Sequence, residues 1–142
     1  MIGPVLKIDE RDLPRPGNIA YLGQQQYRDL PGYVKGFDVC MMPFALNDAT
    51  RFISPTKTLE YMAAHKPIVS TPVADVVGAY SGAVRIAGTA TDFVHEIEAA
   101  LSETEDERTS RLERERRILA RNAWDAIAAR MDQIMDEARK GD

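Results

Sequence analysis

The sequence predicts an α/β fold: a short parallel sheet with helices, followed by a helical C-terminal tail. Two observations carry this. From Met1 to Leu101, short apolar runs alternate with stretches of helical periodicity, and such alternation builds crossover units and parallel strands. After Ser102 the pattern is helical and dense in charge. The chain has 142 residues, 44% of them hydrophobic and 28% charged, which is globular composition with room for a real core.

The elements follow in order. Met1–Ile8 reads as a strand and Arg11–Gly17 as a proline-rich connection. Asn18–Leu22 reads as a second strand, closed by Gly23. Tyr27–Gly36 has Leu30, Tyr33 and Val34 at helical spacing, with Pro31 suited to a first turn. Asp38–Phe44 is apolar enough for a strand buried on both faces. A polar loop, Asn47–Phe52, leads to a helix at Ser54–Ala64. Then come a strand at Pro67–Thr71, a helix at Val73–Tyr80 and a strand at Ala83–Ala87. Thr91–Leu101 reads as an amphipathic helix with Phe93, Val94, Ile97 and Leu101 on one side. Ser102–Arg117 reads as a solvated helical face. Asn122 looks like the N-cap of a closing helix, with Asp125 as its acid and an apolar stripe of Trp124, Ile127, Ala128, Met131 and Met135. One domain over 1–142, with 103–142 as its helical tail, is the simplest partition.

Bulk properties exclude several functions. The net charge of -4, with no basic stretch, argues against a general nucleic-acid binder. The single cysteine, Cys40, sits in an apolar run. It can neither staple the domain nor build a thiolate metal site, and reads as a small buried side chain in a reducing compartment. No run is apolar enough to span a bilayer and the start lacks a signal-peptide layout. The expected location is the cytoplasm, with peripheral attachment to the inner membrane left open.

Thr50–Ala64, TRFISPTKTLEYMAA, is the informative segment. Ser54 suits an N-cap and Pro55 the first helical position. The backbone amides of Thr56 and Lys57 would then lie at a helix end that favours anions, and Lys57 adds a full cation. Glu60 falls on the same face. A lysine for phosphate and a carboxylate for sugar hydroxyls suit a nucleotide sugar, although a pair at this spacing is more often a surface ion pair. Leu59, Met62 and Ala63 are expected to pack on the sheet. Parallel sheets bind ligands beyond the carboxyl ends of their strands, where the Asn47–Phe52 loop lies.

The phrase SPTKTLEYMAAHKPIVSTPV, Ser54 to Val73, resembles the donor-site helix of bacterial GT-B glycosyltransferases of the retaining polysaccharide and lipopolysaccharide type. NIAYLG at Asn18–Gly23, Leu30–Tyr33 and FDVCMMPF are similar to other family motifs in the same order. The resemblance implies a Rossmann-like three-layer α/β domain that binds a nucleotide-diphosphate sugar, such as a UDP- or GDP-sugar, with no metal or other cofactor. It implies that Lys57 contacts the diphosphate and Glu60 the ribose hydroxyls. Ser54 and Thr56 would shape the helix end. Arg51 is a candidate second cation or sugar contact, against a loop salt bridge. Asn47 and Asp48 would touch the sugar or merely make a turn.

Two departures stand out. Many relatives carry a further glutamate in the loop where this chain has Phe52, so that carboxylate contact to the transferred sugar is missing or supplied otherwise. His65 replaces a helix-end glycine and reads as a slightly strained cap, not a catalytic base. His95 reads as solvent-facing.

Against the family pattern, Met1–Val5 resembles the second strand of the donor domain. The expectation is therefore an incomplete donor domain, lacking its opening strand, glycine-rich loop and acceptor-binding partner. Such a chain would bind donor weakly, would not catalyse alone, and would dimerise through surface left uncovered. Two other readings compete: a non-catalytic nucleotide-binding or regulatory α/β domain of receiver or flavodoxin kind, and a helical dimerisation module.

Overall fold

The computed structural model describes residues 1–6 and 8–140. The chain divides into two compact units, Met1–Gly36 and Phe37–Asp142, described separately here.

The first unit contains no strand among its described residues. The segments read as strands at Met1–Ile8 and Asn18–Leu22 lie side by side without forming a ladder; Lys7 lies outside the described residues. Leu22 N–H bonds the Met1 carbonyl and Gly3 N–H the Gly23 carbonyl, each at 2.9 Å, and the Met1 amino group donates to the Ala20 carbonyl. No ladder grows from these bonds, for local reasons. Gly3 has φ 137°, and Pro4 has no N–H to donate. A turn of 3-10 helix at Tyr27–Asp29 runs into α1, Leu30–Lys35. Pro31 sits in the first turn of α1, where a missing N–H costs nothing.

The second unit is built on a parallel sheet of order β1-β2-β3: Cys40–Met42, Ile68–Ser70 and Arg85–Ile86. Cys40 pairs with Ile68 and Met42 with Ser70. Strand alternation therefore puts Cys40, Met42, Ile68 and Ser70 on one face, and Met41 and Val69 on the other. All three residues of β2 are buried, as the middle strand requires. β1 departs from the expectation of burial on both faces. Cys40 and Met42 are buried, but Met41 is 54% exposed, because β1 is an edge strand and the helix on Met41's face rests on β2 and β3.

Four helices follow or interleave the strands. They are α2 at Lys57–Ala63, α3 at Ala74–Tyr80, α4 at Ala90–Leu101 and α5 at Glu105–Asn122; α6, Trp124–Lys140, closes the chain. On one face, α2 inserts Met62 and Thr58, both fully buried, with Thr58 Oγ1 3.6 Å from Met42 Sδ. On the other, α4 lays Phe93, Ile97 and Ala100 on Val69 and Ala87. A helix on each face of a parallel sheet is the three-layer, Rossmann-like α/β arrangement that the sequence predicted.

Several local expectations need correction. Ser54 and Pro55 do not start α2. Thr58 N–H bonds the Pro55 carbonyl and Leu59 N–H the Thr56 carbonyl, both at 3.1 Å, so the entry winds as a tighter turn and the cap position falls on Thr56. Ala63 does not pack on the sheet; it faces solvent. On α4, Val94 and Leu101 are exposed (57% and 61%), since the inward line runs Phe93–Ile97–Ala100 instead. Asn122 does not cap α6. It ends α5, and its side-chain amide donates back to the Ile118 carbonyl at 2.8 Å. Ala123, extended, takes the place before α6. Finally, Ser102–Arg117 is not wholly a solvated face, because Arg111 and Glu115 are buried.

Candidate functional site

The loop leaving β1 and the start of α2 hold most of the predicted contacts. Asn47 organises the loop. Its side-chain oxygen accepts from Ala49 N–H at 3.0 Å and Thr50 N–H at 3.2 Å, the local turn open to an Asn at this position. Thr50 Oγ1 ties back to the Ala45 carbonyl. Asp48, Arg51, Phe52 and Ser54 are exposed. The Arg51 guanidinium lies 5.3 Å from the Phe52 ring centroid, a cation–π contact and not the loop salt bridge weighed above. Phe52 itself is 84% exposed, so an aromatic ring stands in solvent where the resemblance led one to look for a carboxylate.

Lys57 and Glu60 are brought together. Lys57 Nζ donates to Glu60 Oε2 at 2.8 Å, and both side chains remain partly open to solvent. Thr56 is exposed and makes no side-chain cap bond. α2 has only 7 residues, so the full charge of Lys57 outweighs any helix dipole there. Beside the loop, an apolar groove of about 540 Å³ crosses the carboxyl edge of the sheet, lined by Pro43, Leu46, Thr71, Gly88, Phe93 and Val94. Its walls come from the segments that follow all three strands. This is the edge at which open α/β sheets receive ligands.

The far end of α2 closes as predicted. His65 has φ 57°; its N–H bonds the Met62 carbonyl at 2.9 Å, and Lys66 N–H bonds the Tyr61 carbonyl at 3.1 Å. That pair of bonds is a Schellman end. Sequence reading missed what lies against it. Arg111 of α5 grips both Glu103 oxygens at 2.8 Å, bonds Glu115 Oε1 at 2.9 Å and reaches the His65 carbonyl at 3.5 Å. Burial pushes the Glu115 carboxyl up to about 7, with Arg111 pulling it the other way. No signal marked this cluster, because buried and solvated charges look alike within a run such as Glu113–Arg117.

Elsewhere, Cys40 is buried, and desolvation pushes its thiol up to about 11. His95 is exposed. Among the described residues no group of three or more His, Cys, Asp or Glu could hold a metal, and no helix is long and apolar enough to cross a membrane.

Residues 3–103 match the family model described as group 1 glycosyl transferases. The chain belongs to that family. The matched region of this group 1 glycosyltransferase chain contains the Asn47–Phe52 loop, α2, the groove and the sheet. A 61-residue stretch is 30% identical to a Bacillus subtilis (strain 168) protein provisionally named as the teichuronic acid biosynthesis glycosyltransferase TuaH. That stretch is 43% of this group 1 chain and 15% of the relative, so the chain spans a small part of the relative's length. No solved structure matches it.

Proposed function

We propose that this chain is the nucleotide-sugar-binding part of a GT-B glycosyltransferase of the retaining, polysaccharide or lipopolysaccharide type. Its single domain carries residues 103–142 as a helical tail. One observation carries the reading: Lys57 and Glu60 meet on one face of α2, directly after the loop at the carboxyl edge of the sheet, within a chain of this family. Lys57 takes the donor diphosphate, exchanging Glu60 for phosphate oxygens. Glu60, so released, accepts from the ribose hydroxyls. Arg51, Ser54 and Thr56 border the phosphates, and Asn47 and Asp48 the sugar. The apolar groove offers a wall for the flat base of a UDP- or GDP-sugar.

As the donor's glycosidic bond breaks, negative charge grows on the leaving diphosphate. Lys57 stabilises that charge without a metal. Transfer itself requires the acceptor-binding domain that GT-B enzymes place across the cleft, so the chain alone binds donor weakly and does not turn over. Calorimetry with UDP and GDP tests this. Saturable binding that drops at least about tenfold in Lys57→Ala and in Glu60→Ala is expected, the loss of one or two charge-assisted hydrogen bonds. A folded chain that binds neither nucleotide refutes the reading.

A second reading, a helical dimerisation module, is favoured by α6. Trp124, Met131, Ile134 and Met135 are all exposed, Trp124 by 83%. Trp124, Ile127, Met131, Ile134 and Ala138 follow the alternating three-and-four spacing of a coiled-coil seam. The two readings are compatible, since the stripe lies on a different element from the donor loop.

A further inference from the structure

Glu115 is fully buried, and its Oε2 has no hydrogen-bond partner among the described residues. Arg111 spends its donors on Glu103, on Glu115 Oε1 and on the His65 carbonyl. Two carboxylates therefore share one guanidinium in a buried place. The arrangement is one positive charge short unless a proton is taken up. His65 Nδ1, which could accept such a proton's hydrogen bond, lies 4.0 Å from Oε2. His65 in turn terminates α2 in a left-handed conformation, and α5 packs along α2.

We propose that Glu115 is a positioning residue for α2: by binding and releasing a proton at its unpartnered oxygen, it tightens and loosens the hold of α5 on the C-terminal end of the helix that carries Lys57 and Glu60. When protonated, the carboxyl is neutral, costs little to bury, and needs only a small turn of the half-exposed His65 ring to donate to Nδ1. When ionised, it leaves a charged oxygen without a partner, and the contact between α5 and α2 opens to admit water.

The charged groups around it are Arg111 and Arg114 of its own helix, Glu103 from the α4–α5 connection, and the His65 ring and carbonyl at the end of α2. The sign is fixed by the direction of the shift. The folded value of about 7 lies above the ordinary 4.5. The stabilisation is thus complete below the unfolded value and is lost as pH rises through the folded one.

Amide exchange on the full chain tests this, with rates corrected for intrinsic exchange. Protection across Lys57–Ala63 is expected to fall at least about tenfold between pH 6 and pH 8.5, the equivalent of one pKa unit of linkage. In Glu115→Gln, which keeps the shape and cannot ionise, protection should hold level across that range. Protection that is constant in the parent chain, or that falls equally in Glu115→Gln, overturns the proposal. Should Glu115→Gln fail to fold, the carboxyl carbon resonance of Glu115 in the parent chain decides. A midpoint near 7 that coincides with shifts in α2 amides supports it, and a midpoint in the ordinary carboxylate range overturns it.

The consequence for donor binding rests on Lys57 and Glu60 being donor contacts; the exchange readout does not. A pH-responsive α2 in a chain that binds no nucleotide supports this proposal and sinks the donor reading.

Discussion

At the scale of single residues, Lys57 and Glu60 present two readings with opposite energetic signatures. A half-exposed ion pair three residues apart on a helix contributes at most about 0.5 kcal/mol to stability, because solvent screens it and two long side chains must be held still. If the pair were kept for the fold, removing it would be felt there. If it serves a ligand, the fold should hardly notice. The double variant Lys57→Ala/Glu60→Ala is expected to keep its urea midpoint to within about 0.5 kcal/mol, while nucleotide binding is abolished. Loss of stability with binding intact would reverse the assignment. The sequence made this pair legible because spacing alone puts both residues on one face. Glu115 was not legible at all. Whether a glutamate in a charge-dense helix points inward depends on which helix lies against it, and His65, just past the end of α2, is 46 residues away from the Arg111 that reaches its carbonyl.

At the scale of elements, boundaries were set by caps. Thr104 accepts from Glu107 N–H while Glu107 returns a bond to Thr104 N–H, and Thr89 and Asp92 repeat the device on α4. These boxes fix the starts of α4 and α5, and each is a local pattern a reader of sequence can find. Thr104→Ala is expected to cost about 1 kcal/mol by thermal or urea denaturation. It should also loosen Glu103, next in the chain and bound to Arg111. The strands were harder to delimit. Each is only two or three residues long, and parallel ladders draw their ends from partners far off in the chain. Asn18–Leu22 had the composition of a strand but met Gly3 and Pro4 across the gap, and a strand exists only where its neighbour can pair.

At the scale of the whole molecule, the fold class and the family were readable from the sequence, because a run of motifs in fixed order survives without knowledge of contacts. The apolar groove was not, since it is assembled from Pro43, Thr71 and Gly88, which come together only when three strands align. The α6 stripe was visible as a pattern, and its exposure could not be. A second copy of this chain is expected to cover it. In an antiparallel pairing that keeps the apolar seam in register, Arg130 of one copy approaches Glu137 of the other, an attraction at each end. Sedimentation equilibrium should show reversible dimers that Met131→Asp dissociates, with Trp124 fluorescence shifting to longer wavelength as they part. A parent chain that stays monomeric at high micromolar concentration would count against the seam.

The family match stops at residue 103, and the buried cluster begins at Glu103. The stretch that makes this chain recognisable and the cluster that holds the end of α2 therefore meet at Glu103, and Arg111 and Glu115 lie beyond the match. A version ending at that residue would retain every motif a reader knows and lose the arginine that reaches the end of α2. If Glu115 governs α2 as proposed, the pH response of this chain is set by residues beyond the stretch that identifies its family, and a chain with the same α2 but another residue at 115 would hold that helix level across pH.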